Sequence, residues 1–102
     1  MKTITSPDNP RFKSLLALLQ SSRERRKAGL SLLDGVHLIK AYRDNIGSPA
    51  QVAVSRSGLE NREIVELLHT LQPAETVALS DALFARLSSV STPTGILAVV
   101  TT

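Results

Sequence analysis

The chain contains no cysteine and no tryptophan, and only two Phe and one Tyr among its 102 residues. Without thiols there is no disulfide framework, thiolate zinc site or cysteine nucleophile, a usage that fits a reducing compartment. With so few aromatic side chains the core has to be aliphatic, and there is too little ring surface for a sheet platform that stacks bases. No apolar stretch reaches the length of a membrane span, and the N-terminus lacks the apolar core of a signal peptide, so a soluble, cytoplasmic protein is expected. Also missing are G-x-G-x-x-G, G-x-x-x-x-G-K-[ST], H-E-x-x-H and G-x-S-x-G, which removes the dinucleotide, P-loop, zincin and serine-hydrolase readings.

What is present is ordinary in amount and uneven in place. A hydrophobic fraction of 42% with 21% charged residues is normal for a globular domain. A chain of 102 residues suffices for one core, so residues 1–102 read as a single domain. Residues 1–45 hold nine Lys and Arg against four Asp and Glu, whereas residues 46–102 hold three against five. The net charge of +3 therefore belongs to the N-terminal end.

Local signals predict the elements. Asn9-Pro10 reads as an N-cap followed by Pro at the first helical position, and Phe12, Leu15, Leu16 and Leu19 form one apolar stripe on a helix over 10–20. Ser21 and Glu24 have the form of a capping box, so a second short helix starts at Ser22 and is closed by Gly29. Leu30 to Leu33, between two glycines, reads as a strand, and Val36, Ile39 and Tyr42 as a helix over 36–44. Residues 51–55, 75–79 and 95–100 are strand-like. Ile64, Leu67, Leu68 and Leu71 mark a helix that ends before Pro73, and Ser80 caps one carrying Leu83, Phe84 and Leu87.

After two N-terminal helices the order is β-α-β-α-β-α-β, which predicts an α/β fold: a three-layer α/β/α sandwich around a mainly parallel, four-stranded sheet, its strand order open. The apolar runs at 30–33 and 96–100 suit strands buried on both faces.

Catalytic chemistry has little to draw on. Two histidines, His37 and His69, do not suggest a metal site, and His37 beside Lys40 reads as a surface residue. Glu60, Glu63 and Glu66 share a helix with Arg62 as ordinary surface charge. Asp34 ends a strand, where α/β sheets gather ligands, and equally could cap the helix at Val36. The strongest local feature is basic: Arg11 and Lys13, then Arg23, Arg25, Arg26 and Lys27, against a single acid, Glu24. Like charges packed on short helices repel one another, and such a patch is suited to phosphates, which arginine grips in pairs.

The runs ITSPDNPRFKSLLALL (4–19), RRKAGLSLLDGVHLIKAY (25–42) and LSDALFARLSSVSTPTGILAVV (79–100) together resemble the N-terminal substrate-binding domain of the SpoU or TrmH-type RNA 2'-O-ribose methyltransferases. The resemblance implies a fold like that of kink-turn-binding ribosomal proteins, a role in engaging rRNA or tRNA, and no catalytic residue in this chain. It also implies a separate C-terminal knotted domain that binds S-adenosylmethionine, transfers the methyl group and forms the dimer; these 102 residues end before it would begin and would need no cofactor of their own. Two positions depart from the family pattern, Asp34 where Glu is usual before the glycine and Thr94 where Gln or Glu is usual.

Two function classes follow. In the first, Arg11, Lys13, Arg23, Arg25, Arg26 and Lys27 contact RNA phosphates, with Asn9, Asp34 and Thr94 at the rim. In the second, the chain docks on a catalytic domain through the acidic helix at 60–71 or an apolar edge, and RNA contact is incidental. A third reading, a small enzyme, has only His37 and Asp34 in its favour.

Overall fold

The computed structural model describes residues 3–71, 75–87 and 95–101. A short strand β1 (Thr3–Ile4) opens the chain, followed by α1 (Pro10–Gln20), α2 (Ser22–Ala28), β2 (Leu30–Asp34), α3 (Val36–Asn45) and β3 (Gln51–Ser55). A 3-10 turn (Ser57–Glu60) leads to α4 (Arg62–Thr70), β4 (Glu75–Leu79), α5 (Asp81–Leu87) and β5 (Ile96–Thr101). The five strands form one sheet in the order β1-β4-β3-β5-β2.

The α/β class and most element bounds are as the local signals predict, and three features differ. The sheet has five strands rather than four, because β1 pairs in parallel with β4 at the edge, Thr3 opposite Ala78. The two helices α1 and α2 are therefore preceded by a strand. The sheet is mixed, since β5 lies antiparallel between β3 and β2. Its first residues sit where β2 and β3 end: the Ser55 N–H donates to the Gly95 carbonyl at 2.9 Å, and the Gly35 N–H to the Ile96 carbonyl at 3.1 Å.

Alternation along the strands divides the core in two. Ile96, Ala98 and Val100 of β5 join Val36 and Ile39 of α3 and Ile64 and Leu67 of α4 on one face. Leu97 and Val99 join Phe12 and Leu15 of α1 and Leu83, Phe84 and Leu87 of α5 on the other. Each such side chain removed from water stabilises the fold by about 1.5–3 kcal/mol. Every residue of β5 from Ile96 to Val100 is buried, as its apolar run predicts, but β2 is only half-buried throughout, because it is an edge strand. Among the described residues no helix is long and apolar enough to cross a membrane.

Candidate nucleic-acid interface

Two helices joined by one residue carry six of the twelve Lys and Arg residues. The Asn9 side chain accepts from the backbone N–H of Arg11 at 2.9 Å and of Phe12 at 3.4 Å, which starts α1 with Pro10 in its first turn. Ser21 then ends α1 and caps α2, its Oγ accepting from the Glu24 N–H at 3.1 Å. Gly29 closes α2 in the left-handed region, φ 70°, with its N–H turned back to the Arg25 and Arg26 carbonyls. That conformation carries no penalty for glycine alone.

The six predicted cations separate into different roles. At 3.6 residues per turn, Arg23, Arg26 and Lys27 stand at i, i+3 and i+4 and share one face of α2. All three are exposed, and α2 buries none of its residues. Among the described residues neither these three nor the exposed Lys13 enters an ion pair. Arg11, in contrast, pairs with Glu75 at the start of β4. Arg25 points the other way from the stripe: its Nη1 donates to the carbonyls of Leu18 at 2.8 Å and Leu19 at 2.7 Å, in the last turn of α1. Lys13 lies eight residues before the Ser21 joint, roughly 12 Å along α1, so it extends the basic surface rather than joining the stripe.

The predicted rim does not gather around the stripe. Asn9 is occupied as the cap of α1. Asp34, half-buried, stands at the opposite end of β2 from α2, about 13 Å from Leu30 at the usual rise per strand residue. The N-cap of α3 is Gly35, at φ 109°. Thr94 lies outside the described residues. His37 and His69 are both exposed, and the described residues contain no cluster of His, Cys, Asp or Glu able to hold a metal ion.

A feature that sequence reasoning missed lies at the carboxyl edge of the sheet. A cleft of about 330 Å³ is lined by Ser55, Ser57, Asn61, Asp81 and Phe84, with Gly58 and Gly95 at its base. The two glycines pack so closely that a Cβ on Gly58 would come within 2.6 Å of the Gly95 carbonyl oxygen. The Asp81 carboxylate accepts from the Ser57 hydroxyl and from the Ser57 N–H at 2.9 Å, and these bonds hold its pKa below the ordinary 3.8. This link ties the end of β3 to the start of α5. No local motif announces it, because its partners are far apart in sequence and each is an ordinary loop residue by itself. A cleft whose lining charge is a carboxylate is poorly suited to phosphate.

Comparison with known proteins follows this geometry. The SpoU methyltransferase AviRb from Streptomyces viridochromogenes, solved with AdoMet, is similar over 91% of this chain at 27% identity and a TM-score of 0.72. An RNA 2'-O ribose methyltransferase structure is similar over 96% of the chain, also at 27% identity, with a TM-score of 0.76. An rRNA methyltransferase from Sinorhizobium meliloti shares the fold over 99% of the chain, TM-score 0.75, at 13% identity. The chain spans about a third of the length of each, 33%, 36% and 37% respectively. No curated protein matches it. Residues 9–98 match the MRM3-like substrate binding domain, and the chain belongs to that family of domains, whose fold it shares with the SpoU-type RNA methyltransferases.

Proposed function

We propose that this chain recognises folded rRNA or tRNA for an S-adenosylmethionine-dependent RNA 2'-O-ribose methyltransferase in the cytoplasm, binding the RNA backbone without itself catalysing transfer. The observation that carries this reading is the Arg23, Arg26 and Lys27 stripe on a helix that buries nothing and neutralises none of the three. Phosphate binding is the chemistry such a surface performs, because each neutralised phosphate releases condensed counterions. Lys13 adds a fourth contact. Arg11 and Arg25 contribute long-range potential while their guanidinium groups are held by Glu75 and by α1.

Catalysis and dimerisation would belong to the remaining two-thirds that the similar enzymes carry. S-adenosylmethionine would be held there too.

Titrating the domain against a folded rRNA or tRNA fragment over a range of salt tests the reading. About four phosphate contacts give a slope of log K against log salt near −3. A flat salt dependence, or an affinity unchanged in Arg23→Glu/Arg26→Glu, overturns it.

The second reading, docking on a catalytic domain, draws on α3 and its C-cap, where Leu38 and Ile46 are 54% and 72% exposed. It expects Leu38→Ser/Ile46→Ser to abolish association with that domain while RNA affinity stays no better for folded RNA than for a scrambled strand.

A further inference from the structure

We propose that Arg25 is a positioning residue that locks α2 onto the end of α1 and so aims the Arg23, Arg26 and Lys27 stripe. What concerns RNA in this rests on the reading above; the lock itself does not. The joint between the two helices is the single residue Ser21, in an extended conformation with φ −128° and ψ 107°. Packing holds the angle there only from the surface, because α2 touches α1 and β2 without burying a side chain. Seven residues are also too few for a helix to hold by itself in water.

A tie across the joint is present instead. The last carbonyls of any α-helix lack intrahelical partners, and α1 has no basic residue of its own in its last turn. Arg25 supplies both deficits from the next helix, bonding the Leu18 and Leu19 carbonyls at 2.8 and 2.7 Å and placing a cation at the negative end of α1. Of the four cations on α2 it is the one that is half-buried. It lies roughly 150° round the axis from the centre of the stripe, at 100° per residue. Helix α1 is itself anchored to the sheet by the buried Phe12 and Leu15. The rigidity of the core thus reaches the exposed stripe through this guanidinium group as well as through Gly29, where α2 joins β2.

Arg25 and Arg26, adjacent and chemically identical, should therefore fail in different ways. The absence of native cysteine allows spin labels to be placed at Ala17→Cys and Ala28→Cys, both exposed sites on either side of the joint. Without RNA, Arg25→Met is expected to broaden the distribution of distances between the labels, and Arg26→Met to leave it as in the parent. With a folded RNA fragment, Arg26→Met lowers the salt slope by about 0.7–0.9, one phosphate contact. Arg25→Met lowers the slope by less than Arg26→Met does and weakens binding about fivefold, if the aimed geometry falls to about a fifth of the population. If Arg25→Met does not fold, Arg25→Gln, with a shorter donor and no charge, takes the same test. An unchanged distance distribution, or a loss of slope equal to that of Arg26→Met, overturns the proposal. If the parent chain binds RNA without steep salt dependence, the RNA reading fails, and the label distances still decide whether Arg25 is the lock.

Discussion

Helices α2 and α4 are of similar length, seven and nine residues, and both are dense in charge, yet they serve the fold in opposite ways. Helix α4 seals Ile64 and Leu67 against the sheet, and its charges are matched by neighbours, Arg62 with Glu66 within the helix and Glu63 with Lys40 of α3. Helix α2 buries nothing, and among the described residues three of its four cations enter no ion pair with a side chain of opposite charge. The difference is one of sequence period. In α4 apolar residues recur at three- and four-residue spacing and leave the charges to a solvated face. In α2 the one apolar side chain is the exposed Ala28, so the helix is held by its caps at Ser21 and Gly29, by Arg25 and by surface contact with α1 and β2.

That contrast can be broken by experiment. Leu67→Ala in α4 should destabilise the domain by about 2–5 kcal/mol in urea unfolding, since it opens a cavity at a buried site. Arg26→Ala in α2 should stay within about 0.5 kcal/mol of the parent, as for other surface changes. The effect on RNA should be reversed: Arg23→Glu/Arg26→Glu should weaken binding about ten- to a hundredfold at low salt and flatten the salt slope, and Arg62→Glu on α4 should do neither. Gly29→Ala, forced to adopt φ 70°, should cost about 1 kcal/mol in thermal unfolding and loosen α2 more than any other element.

Smaller effects lie away from both helices. Because its bonds from Ser57 depress the folded pKa of Asp81 below 3.8, its contribution is complete above that value and is lost as pH falls through the folded pKa. Asp81→Asn should therefore reduce the acid sensitivity of unfolding below about pH 4, while leaving the salt slope of RNA binding unchanged. Smallest of all, Glu66→Gln should remove the exposed Arg62 pair at a cost of about 0.3–0.5 kcal/mol or less, vanishing in high salt.

Much of the fold was legible because its signals are local. Asn9, Ser21, Gly29 and Ser80 cap where their chemistry predicts, and β3 and β4 occupy the residues their patterns mark. The direction of β5 was not legible, since five consecutive buried residues look the same in a parallel or an antiparallel neighbourhood. Strand β1 was missed because two residues carry no period. The basic segment was visible as composition, but its division was not: Arg23, Arg25, Arg26 and Lys27 are equivalent as letters, and only the turn at Ser21 sends one of them back to α1.

The amino-acid sequence by itself determined which segments are helix and strand, that the core is aliphatic, and that the positive charge is concentrated near the N-terminus, because caps, periodicity and charge act over a few residues. Tertiary structure decided which strands lie at the edge, that β5 runs against its neighbours, that Ser57 meets Asp81, and that Arg11 and Arg25 are engaged while Lys13, Arg23, Arg26 and Lys27 enter no ion pair among the described residues. Those outcomes depend on contacts between residues distant in sequence or across a bend, where the energy of a partner, rather than the preference of a residue, selects the arrangement.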